Sequence, residues 1–273
     1  TCGFNHAEPA MKALGYIVEG HWTREDKPEA VNKTREAIVQ SINKGYPVVA
    51  IDLINTPDYG VIVGYSDGGK KFLCRTYFDK TEGYSQAEKW PWVVLVIKEK
   101  GKVPDRRESL LRSLEIAVEL ANTDRYPGHA EKTFYASGFG AYKTWAEDLL
   151  DESRFEKLDE KELNRLTHTN GWCYLSLVDA REAAVRYLKS IEGEFDRESA
   201  THLSKAAGLY EEIVEKLKDG WKYAPMPWQL KEGEHWTKEM RHVEAAVLKE
   251  ALSLERTAVD ELKVAVEVAG KRL

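Results

Sequence analysis

The chain of 273 residues has few cysteines, no long apolar run and no excess of basic residues. Its three cysteines, Cys2, Cys74 and Cys173, are odd in number, lie far apart and form no C-x-x-C pair, which argues against a disulfide framework or a zinc knuckle. We therefore predict a reducing, cytoplasmic compartment and no cofactor. No segment approaches the roughly 20 apolar residues that span a bilayer, and no basic-then-apolar leader opens the sequence, so we predict neither a membrane span nor a signal peptide.

The net charge of −6 is distributed unevenly along the chain. Residues 1–102 carry 14 Lys+Arg and 13 Asp+Glu, a balance of +1, whereas residues 103–273 carry 26 and 33, a balance of −7. Binding to nucleic acid or to an anionic membrane depends on basic side chains that neutralise phosphates. The acidic second part therefore argues against both of these partners.

The first part of the chain consists of short apolar runs separated by turn signals. Residues 28–44 begin with a proline, place apolar side chains at helical spacing and stop before a glycine, which predicts a helix. Short apolar or alternating segments predict strands at residues 16–18, 48–53, 60–65, 71–77 and 93–97.

Beyond residue 106 the apolar spacing changes from about two residues to about 3.6. Five helices with short connections are predicted, the longest at residues 158–191 with a candidate interruption near 167–171. Such helices favour an antiparallel bundle. The predicted fold class is thus α+β, with a sheet-and-helix domain at residues 1–102 and a helical bundle at residues 103–273, joined by the charged segment 98–105.

Several motifs in the first part occur in a fixed order. A helix leads into Gly45-Tyr46-Pro47-Val48, a turn follows, an apolar strand ends in Gly64-Tyr65-Ser66-Asp67, and the next strand runs toward Asp79. This order resembles the later half of a papain-like cysteine peptidase domain. It is most similar to the bacteriocin-processing double-glycine peptidases and to the N-terminal domain of butirosin biosynthesis protein H. The helical part, through Gly138-x-x-Ala-Tyr-x-x-Trp145, also resembles the region that follows this domain in bacterial and archaeal relatives.

The resemblance implies a partial papain-like fold and a three-residue chemistry. The family uses a cysteine nucleophile at a helix start, a histidine base at a strand entrance, and an acid that orients the histidine. Asp79 falls where the orienting acid is expected, whereas Asp58 and Tyr59 stand where the histidine would be. Cys2 is the one cysteine that lies early enough in the sequence to be this nucleophile. The alternative is a nucleophile upstream of Thr1. Cys2 also stands beside His6, a spacing that is unlike the family arrangement, and Thr1 as an N-terminal nucleophile is disfavoured because no strand signal follows it.

The polar residues near this strand entrance have two interpretations. In the first, Asp58, Tyr59, Arg75, Tyr77 and Asp79 form a pocket for a small molecule or an acyl or peptide ligand, with Arg75 as a carboxylate or phosphate clamp. In the second, Arg75 and Asp79 form a structural ion pair and the tyrosines pack at the interface between the two domains.

Four further side chains are expected to lie in the interior. Cys74 and Cys173 follow apolar neighbours, as buried structural thiols do. Trp145 and Trp172 are expected to be part of the core rather than platforms for a ligand.

One motif in the last helix has metal-ligand spacing. Glu239 and His242 form a Glu-x-x-His pair, and His235 lies further up the same face, as in di-iron carboxylate bundles. Because such sites need a second pair, an ordinary solvated face is the preferred interpretation.

These patterns leave three functions open. The first is a catalytically degenerate papain-like protein that binds a small molecule or a protein between its two domains. The second is an acyltransferase or a peptidase/amidase with a cysteine nucleophile, and a weaker third is a metal-binding bundle. The sequence also leaves open whether the chain forms a homo-oligomer.

Overall fold

The structure, a computed structural model, describes residues 7–23, 25–55, 58–128 and 132–271. The chain divides into two compact units, Asn5–Asp105 and Arg106–Leu273. The first unit combines an antiparallel sheet with helices, and the second is mainly helical, so the α+β class is confirmed.

The first unit is built around a six-stranded sheet in the spatial order β1-β6-β2-β3-β4-β5, in which every pair of neighbours is antiparallel. Its elements are α1 (Ala7–Ala13), β1 (Tyr16–Trp22), α2 (Pro28–Asn43), β2 (Val48–Ile51), β3 (Tyr59–Ser66), β4 (Lys71–Arg75), β5 (Ser85–Gln86) and β6 (Val93–Lys100). The last strand along the chain, β6, lies between β1 and β2, and its first five residues are all buried.

Several strands depart from the prediction, and β2 and β4 end two residues earlier than expected. Strand β1 continues to Trp22 because each of its residues finds a partner on β6. Strand β6 in turn runs to Lys100, which pairs with Tyr16, so the charged segment 98–105 is not entirely a linker. Strand β5, only two residues long, has no periodicity that a sequence pattern could detect.

Helix α2 covers one face of this sheet. It begins with Pro28 in its first turn, where a missing backbone N–H costs nothing, and its buried side chains include Ile38. The register places Val48 opposite Ile62 and Ala50 opposite Val94, so that alternate strand residues face the helix. The resulting core contains Ile38, Val48, Ala50, Leu53, Ile62, Phe72, Cys74, Val94 and Val96. The prediction that Cys74 is buried is confirmed.

The second unit contains five helices, and its helical start and stop points follow the sequence closely. Its elements are α3 (Arg106–Ala121), β7 (Arg125–Pro127), β8 (Phe134–Ala136), α4 (Gly138–Leu150), α5 (Glu160–Ile191), α6 (Arg197–Gly220) and α7 (Lys238–Gly270). The hairpin of β7 and β8 was not predicted, because strands of three residues carry little periodic signal.

Helix α5 is continuous through the segment where an interruption was considered. Thr167 remains in the helix with its hydroxyl donating to the Leu163 carbonyl (2.8 Å). Gly171 is required by packing rather than by a turn, since a Cβ at this position would lie 2.7 Å from the Met226 sulfur. The helix begins with a capping box in which Asp159 and Glu162 satisfy each other's backbone N–H groups.

Helices α6 and α7 carry buried residues at alternating spacings of four and three. The stripe of α6 is Ser199, Leu203, Ala206, Tyr210, Ile213, Leu217 and Gly220, and that of α7 is Glu244, Leu248, Ala251, Glu255, Ala258, Leu262, Ala265 and Ala269. A seven-residue repeat keeps such a stripe facing a neighbouring helix, and small side chains allow close approach. Two glutamates thus occupy positions that belong to the core.

No helix in the described ranges has both the length and the apolar character needed to cross a membrane.

A histidine is buried on the α2 side of the sheet. His21 on β1 places Nδ1 3.3 Å from the Thr34 hydroxyl and Nε2 3.3 Å from a Glu19 carboxylate oxygen, the second contact being within ion-pair distance but not aligned as a hydrogen bond. Glu19 also accepts a bond from Lys98 (2.6 Å). Burial lowers the pKa of His21; Glu19 opposes this shift, and Lys33 and Lys98 add to it.

We expect acid to destabilise this unit through His21. The folded protein holds the imidazole neutral, whereas the unfolded chain binds a proton below about pH 6.5. The unfolded state then binds more protons, so stability falls as the pH drops below about 6.5 until the lowered folded pKa is reached. In His21→Gln this loss should be smaller, which hydrogen exchange of the Val94 and Val96 amides, corrected for intrinsic rate, would measure at about pH 7.5 and about pH 5.5.

His235→Gln, a change at an exposed histidine of the second unit, serves as the control. An unchanged pH dependence in His21→Gln would contradict the role of His21.

Candidate functional site

The predicted orienting acid, Asp79, lies in the loop after β4 and is held by its neighbours. Its carboxylate accepts from the Thr76 backbone N–H (3.1 Å) and the Thr76 hydroxyl (3.2 Å) and lies 3.3 Å from Arg75 Nε. The side chain is only 5% exposed. The Thr76 N–H is the main cause that lowers the pKa of Asp79, and Ser85, the Thr76 hydroxyl and Arg75 contribute against the opposing effect of burial. Asp79 is therefore a charged group that closes a turn.

Arg75, the predicted ligand clamp, is used to fasten the same loop. Its Nη1 group donates to the backbone carbonyls of Thr81 (3.2 Å), Glu82 (2.7 Å) and Gly83 (2.5 Å). Together with its contact to Asp79, this is the ion pair considered above as the alternative to a clamp. A clamp on a carboxylate or phosphate stays a prediction.

The remaining predicted residues lie at the same end of the sheet. Because β3 and β4 are antiparallel with Val61 opposite Arg75, the start of β3 at Tyr59 lies next to the end of β4. Asp58 is exposed and accepts a hydrogen bond from the Tyr59 N–H (2.7 Å). Tyr77 is 85% exposed, and its packing at the interface between the two domains stays a prediction.

The predicted nucleophile Cys2, together with His6 and Thr1, lies outside the described residues. The other two thiols have environments that disfavour the thiolate. Burial raises the pKa of Cys74 to about 11, with Asp79 and Glu88 adding to the shift. Cys173 is exposed, so its predicted burial is wrong, yet desolvation by the surrounding protein still raises its pKa. Cysteine nucleophiles need the opposite shift.

The second unit contains a buried ionic cluster that the sequence patterns did not single out. Glu255 on α7 accepts from Arg181 Nε (2.8 Å), from the Tyr142 hydroxyl (3.0 Å) and from the Tyr210 hydroxyl (3.2 Å). Arg181 also lies over the Tyr142 ring, 5.7 Å from its centroid. Burial and the neighbouring Glu255 raise the pKa of both tyrosines, so the phenols remain hydrogen-bond donors.

A second buried glutamate on α7, Glu244, has hydrogen-bond partners of a different kind. Glu244 is fully buried and accepts from Asn170 Nδ2 at 2.9 and 3.1 Å, while Asn170 Oδ1 accepts from the Trp145 indole (2.8 Å). Within the described ranges no basic side chain forms an ion pair with Glu244. Burial raises its pKa to about 8, against the opposing Asn170 and Trp236 bonds. Glu244 is therefore protonated near neutral pH.

The candidate metal motif is used for a contact between a helix and a turn. His242 Nε2 lies 3.1 Å from one oxygen of Glu152, and Arg241 donates to the other oxygen (2.9 Å). The pKa of Glu239 is lowered by its own backbone N–H and by the Thr237 hydroxyl. Across residues 7–23, 25–55, 58–128 and 132–271, no group of three potential ligands could hold a metal ion.

The two tryptophans expected in the core differ from each other. Trp145 packs against the helical core and against the Tyr174 ring, with centroids 6.2 Å apart. Trp172 is 48% exposed, so its assignment to the core is wrong. Trp145 lies on α4 and Trp172 on α5, where the helical spacing of apolar residues does not reveal that Trp172 lies just off the buried stripe.

In comparisons with known proteins, the chain matches no family model and no curated protein.

We expect Asp79→Asn to loosen the loop after β4. The amide keeps the size of the side chain but loses the charge that the Thr76 N–H and Arg75 stabilise. Limited proteolysis should then cut between residues 76 and 85 faster than in the parent protein. Asp67→Asn, a change at an exposed turn residue on the other side of β4, should leave the cutting rate unchanged, and equal rates in both variants would contradict the structural role of Asp79.

The two buried glutamates should respond oppositely to the same substitution. Between about pH 4.5 and pH 8 the folded protein keeps a proton on Glu244 that the unfolded chain releases, so this residue makes stability fall as the pH rises. Glu244→Gln removes this pH dependence. Measured against the parent protein, the variant should gain on the order of a few kcal/mol of unfolding free energy between about pH 5 and about pH 8. Glu255→Gln leaves the Arg181 charge without its carboxylate partner and should lower the free energy of unfolding by about 3 kcal/mol.

The measurement is urea unfolding followed by far-ultraviolet circular dichroism, to which the helical unit contributes most. Glu255→Gln is the matched control, because it lies on the same stripe of the same helix. Equal destabilisation by both substitutions at about pH 8 would show that Glu244 is ionised there.

Proposed function

We propose that the chain is a catalytically inactive relative of the papain-like cysteine peptidases, which binds a small molecule or an acyl or peptide ligand instead of cleaving it. The observation that carries this proposal is the state of the groups in the expected catalytic positions. Asp79 is fully engaged by Thr76 and Arg75, and both described thiols have raised pKa values.

The family assignment is supported by the order of the elements. Helix α2, strand β2, strand β3, a tight turn and strand β4 follow one another as the resemblance implies, and Asp79 comes directly after β4. The antiparallel β2-β3-β4 pairing brings the start of β3 and the end of β4 to one end of the sheet. This is where a papain-like protein would carry its base and its orienting acid.

Asp58 and Tyr59 stand at the entrance of β3, where the family carries its histidine, and this argues against catalysis. A carboxylate is a weaker base than imidazole by about two to three pKa units. A thiol whose pKa is about 11, as for Cys74, would then hold its proton against such a base at neutral pH. Binding makes no such demand, since exposed side chains such as Tyr77 and Tyr59 can contact a ligand directly.

The test of inactivity is a search for an acyl-enzyme. We expect p-nitrophenyl acetate to give no stoichiometric burst of nitrophenol at neutral pH, and iodoacetamide to label Cys74 and Cys173 no faster than free cysteine. Peptide mapping by mass spectrometry would locate the label, and Cys173→Ser serves as the control for the exposed thiol. A stoichiometric burst that disappears in Cys2→Ser would overturn the proposal in favour of the acyltransferase or amidase.

The test of binding uses the residues at the end of the sheet. Ligand-observed NMR with a panel of N-acetylated dipeptide amides should detect binding that weakens in Tyr77→Ala and Tyr59→Ala. Tyr84→Ala, which removes an exposed tyrosine from the loop before β5, is the control. Binding that weakens equally in all three variants, or no binding by any peptide of the panel, would count against a peptide ligand at this place.

A further inference from the structure

The second unit presents an aromatic ridge, formed by Trp172, His168 and Trp228. Trp172 and Trp228 are 48% and 65% exposed, although tryptophan is the side chain that gains most from burial. The Trp172 indole donates to His168 Nε2 (2.9 Å), which fixes one ring against another. The His168 ring lies 6.2 Å from the Trp172 centroid and 5.8 Å from the Trp228 centroid, in edge-to-face geometry with both.

The aromatic ridge continues into a cleft of about 240 Å³ between the first half of α5 and residues 227–236. Thr167 and Pro227 line the cleft, and each directly precedes a member of the ridge in the chain. From Leu163 in the cleft to Trp172 the helix rises about 14 Å at 1.5 Å per residue. The aromatic ridge and the cleft together are therefore long enough to hold a short linear ligand.

The loop that forms one wall of the cleft is already held in place. The Met226 N–H donates to Gln229 Oε1 (2.7 Å), the Lys231 N–H donates to Glu234 (3.0 Å), and the buried Trp236 indole donates to the Tyr223 carbonyl (2.9 Å). A wall fixed in this way loses little conformational entropy when a ligand binds.

The chemistry of this surface excludes two classes of ligand. Three carboxylates, Glu160, Glu232 and Glu234, outnumber Lys231 around the cleft, which disfavours an anionic ligand. Aliphatic side chains are few in the lining, so a long acyl chain would find little apolar surface to cover.

A ligand with both a flat C–H face and many hydroxyl groups matches the aromatic and the polar parts of this surface. The negative faces of indole rings attract weakly positive C–H groups, so the exposed rings of Trp172 and Trp228 suit the face of a pyranose. Side chains of the cleft such as Asn164, His235 and Glu160 supply donors and acceptors for hydroxyls. We propose that the aromatic ridge and its cleft bind a neutral oligosaccharide.

This inference goes beyond the proposed function, because the aromatic ridge and its cleft belong to the second unit and not to the sheet that carries Tyr59 and Tyr77. The two can fail separately. The proposed function fails if an acyl-enzyme forms, whereas the oligosaccharide site fails in a binding measurement that involves no thiol.

The test is isothermal titration calorimetry of the full chain with four neutral probes: cellohexaose, chitohexaose, maltohexaose and xylohexaose. We expect at least one to bind, and its affinity to fall about tenfold or more in Trp172→Ala and in Trp228→Ala. Trp22→Ala is the matched control, because Trp22 is 70% exposed on the first unit, and this variant should bind as the parent does. Both ridge substitutions replace exposed side chains, and unchanged circular dichroism would show that the variants fold.

Three outcomes would overturn the proposal. One is the failure of all four probes to bind at millimolar concentration, and another is binding that survives both ridge substitutions. The third is a proline-rich decapeptide that binds with dependence on Trp228 while the sugars do not, which would assign the ridge to peptide recognition instead.

Discussion

The helical unit depends on the requirement that every buried charge find a partner. Glu255 and Arg181 form an ion pair in the bundle, with side chains that are 6% and 23% exposed, and removing either partner would leave a largely buried charge without a counterion. The second polar bridge, Asn170 to Glu244, lies eleven residues earlier on both α5 and α7. Because the two contacts are separated by the same number of residues on α5 and on α7, the two helices run in the same direction and their register is fixed. A slide of one helix by a turn would place Arg181 against the alanines that flank Glu255 in the stripe, and the small side chains that permit close packing would offer it no acceptor.

The same helix solves the problem of a buried carboxyl in two ways. Glu255 stays charged because a guanidinium and two phenols surround it. The amide and indole donors near Glu244 favour its carboxylate, but burial outweighs them and keeps this carboxyl neutral. The ion pair of Glu255 determines which helix packs against this part of α7, since few side chains can replace arginine. The raised pKa of Glu244 makes the stability of the bundle depend on pH. Neither glutamate could be changed for a leucine without altering one of these properties.

Sequence periodicity predicted the long helices and the five main strands because those elements bury one face over many residues. It missed β5 and the β7–β8 hairpin, whose few residues are set by neighbouring strands rather than by their own pattern. Glu244 and Glu255 could have been found, since they interrupt an apolar stripe of alternating four and three spacing. The positions of Trp172 and Cys173 could not, because one helical step separates exposed from buried on α5. For the site, the pairing of Arg75 with Asp79 followed from their spacing, but the three carbonyls that Arg75 also holds belong to a loop without any periodic signal.

The environment of Asp79 gives this carboxylate a structural role that is independent of catalysis. In a papain-like site the acid depends on its histidine, and loss of the imidazole would leave the carboxylate without a task. Here the carboxylate closes the turn at Thr76 and anchors Arg75, which in turn holds the carbonyls of residues 81–83. These bonds require a charged acid at residue 79 whether or not a base stands near Tyr59. A structural role therefore suffices to retain Asp79, and its presence is weak evidence for turnover. Evidence for function must come instead from large exposed aromatic faces such as that of Trp228, because burial of such a face would otherwise be favoured.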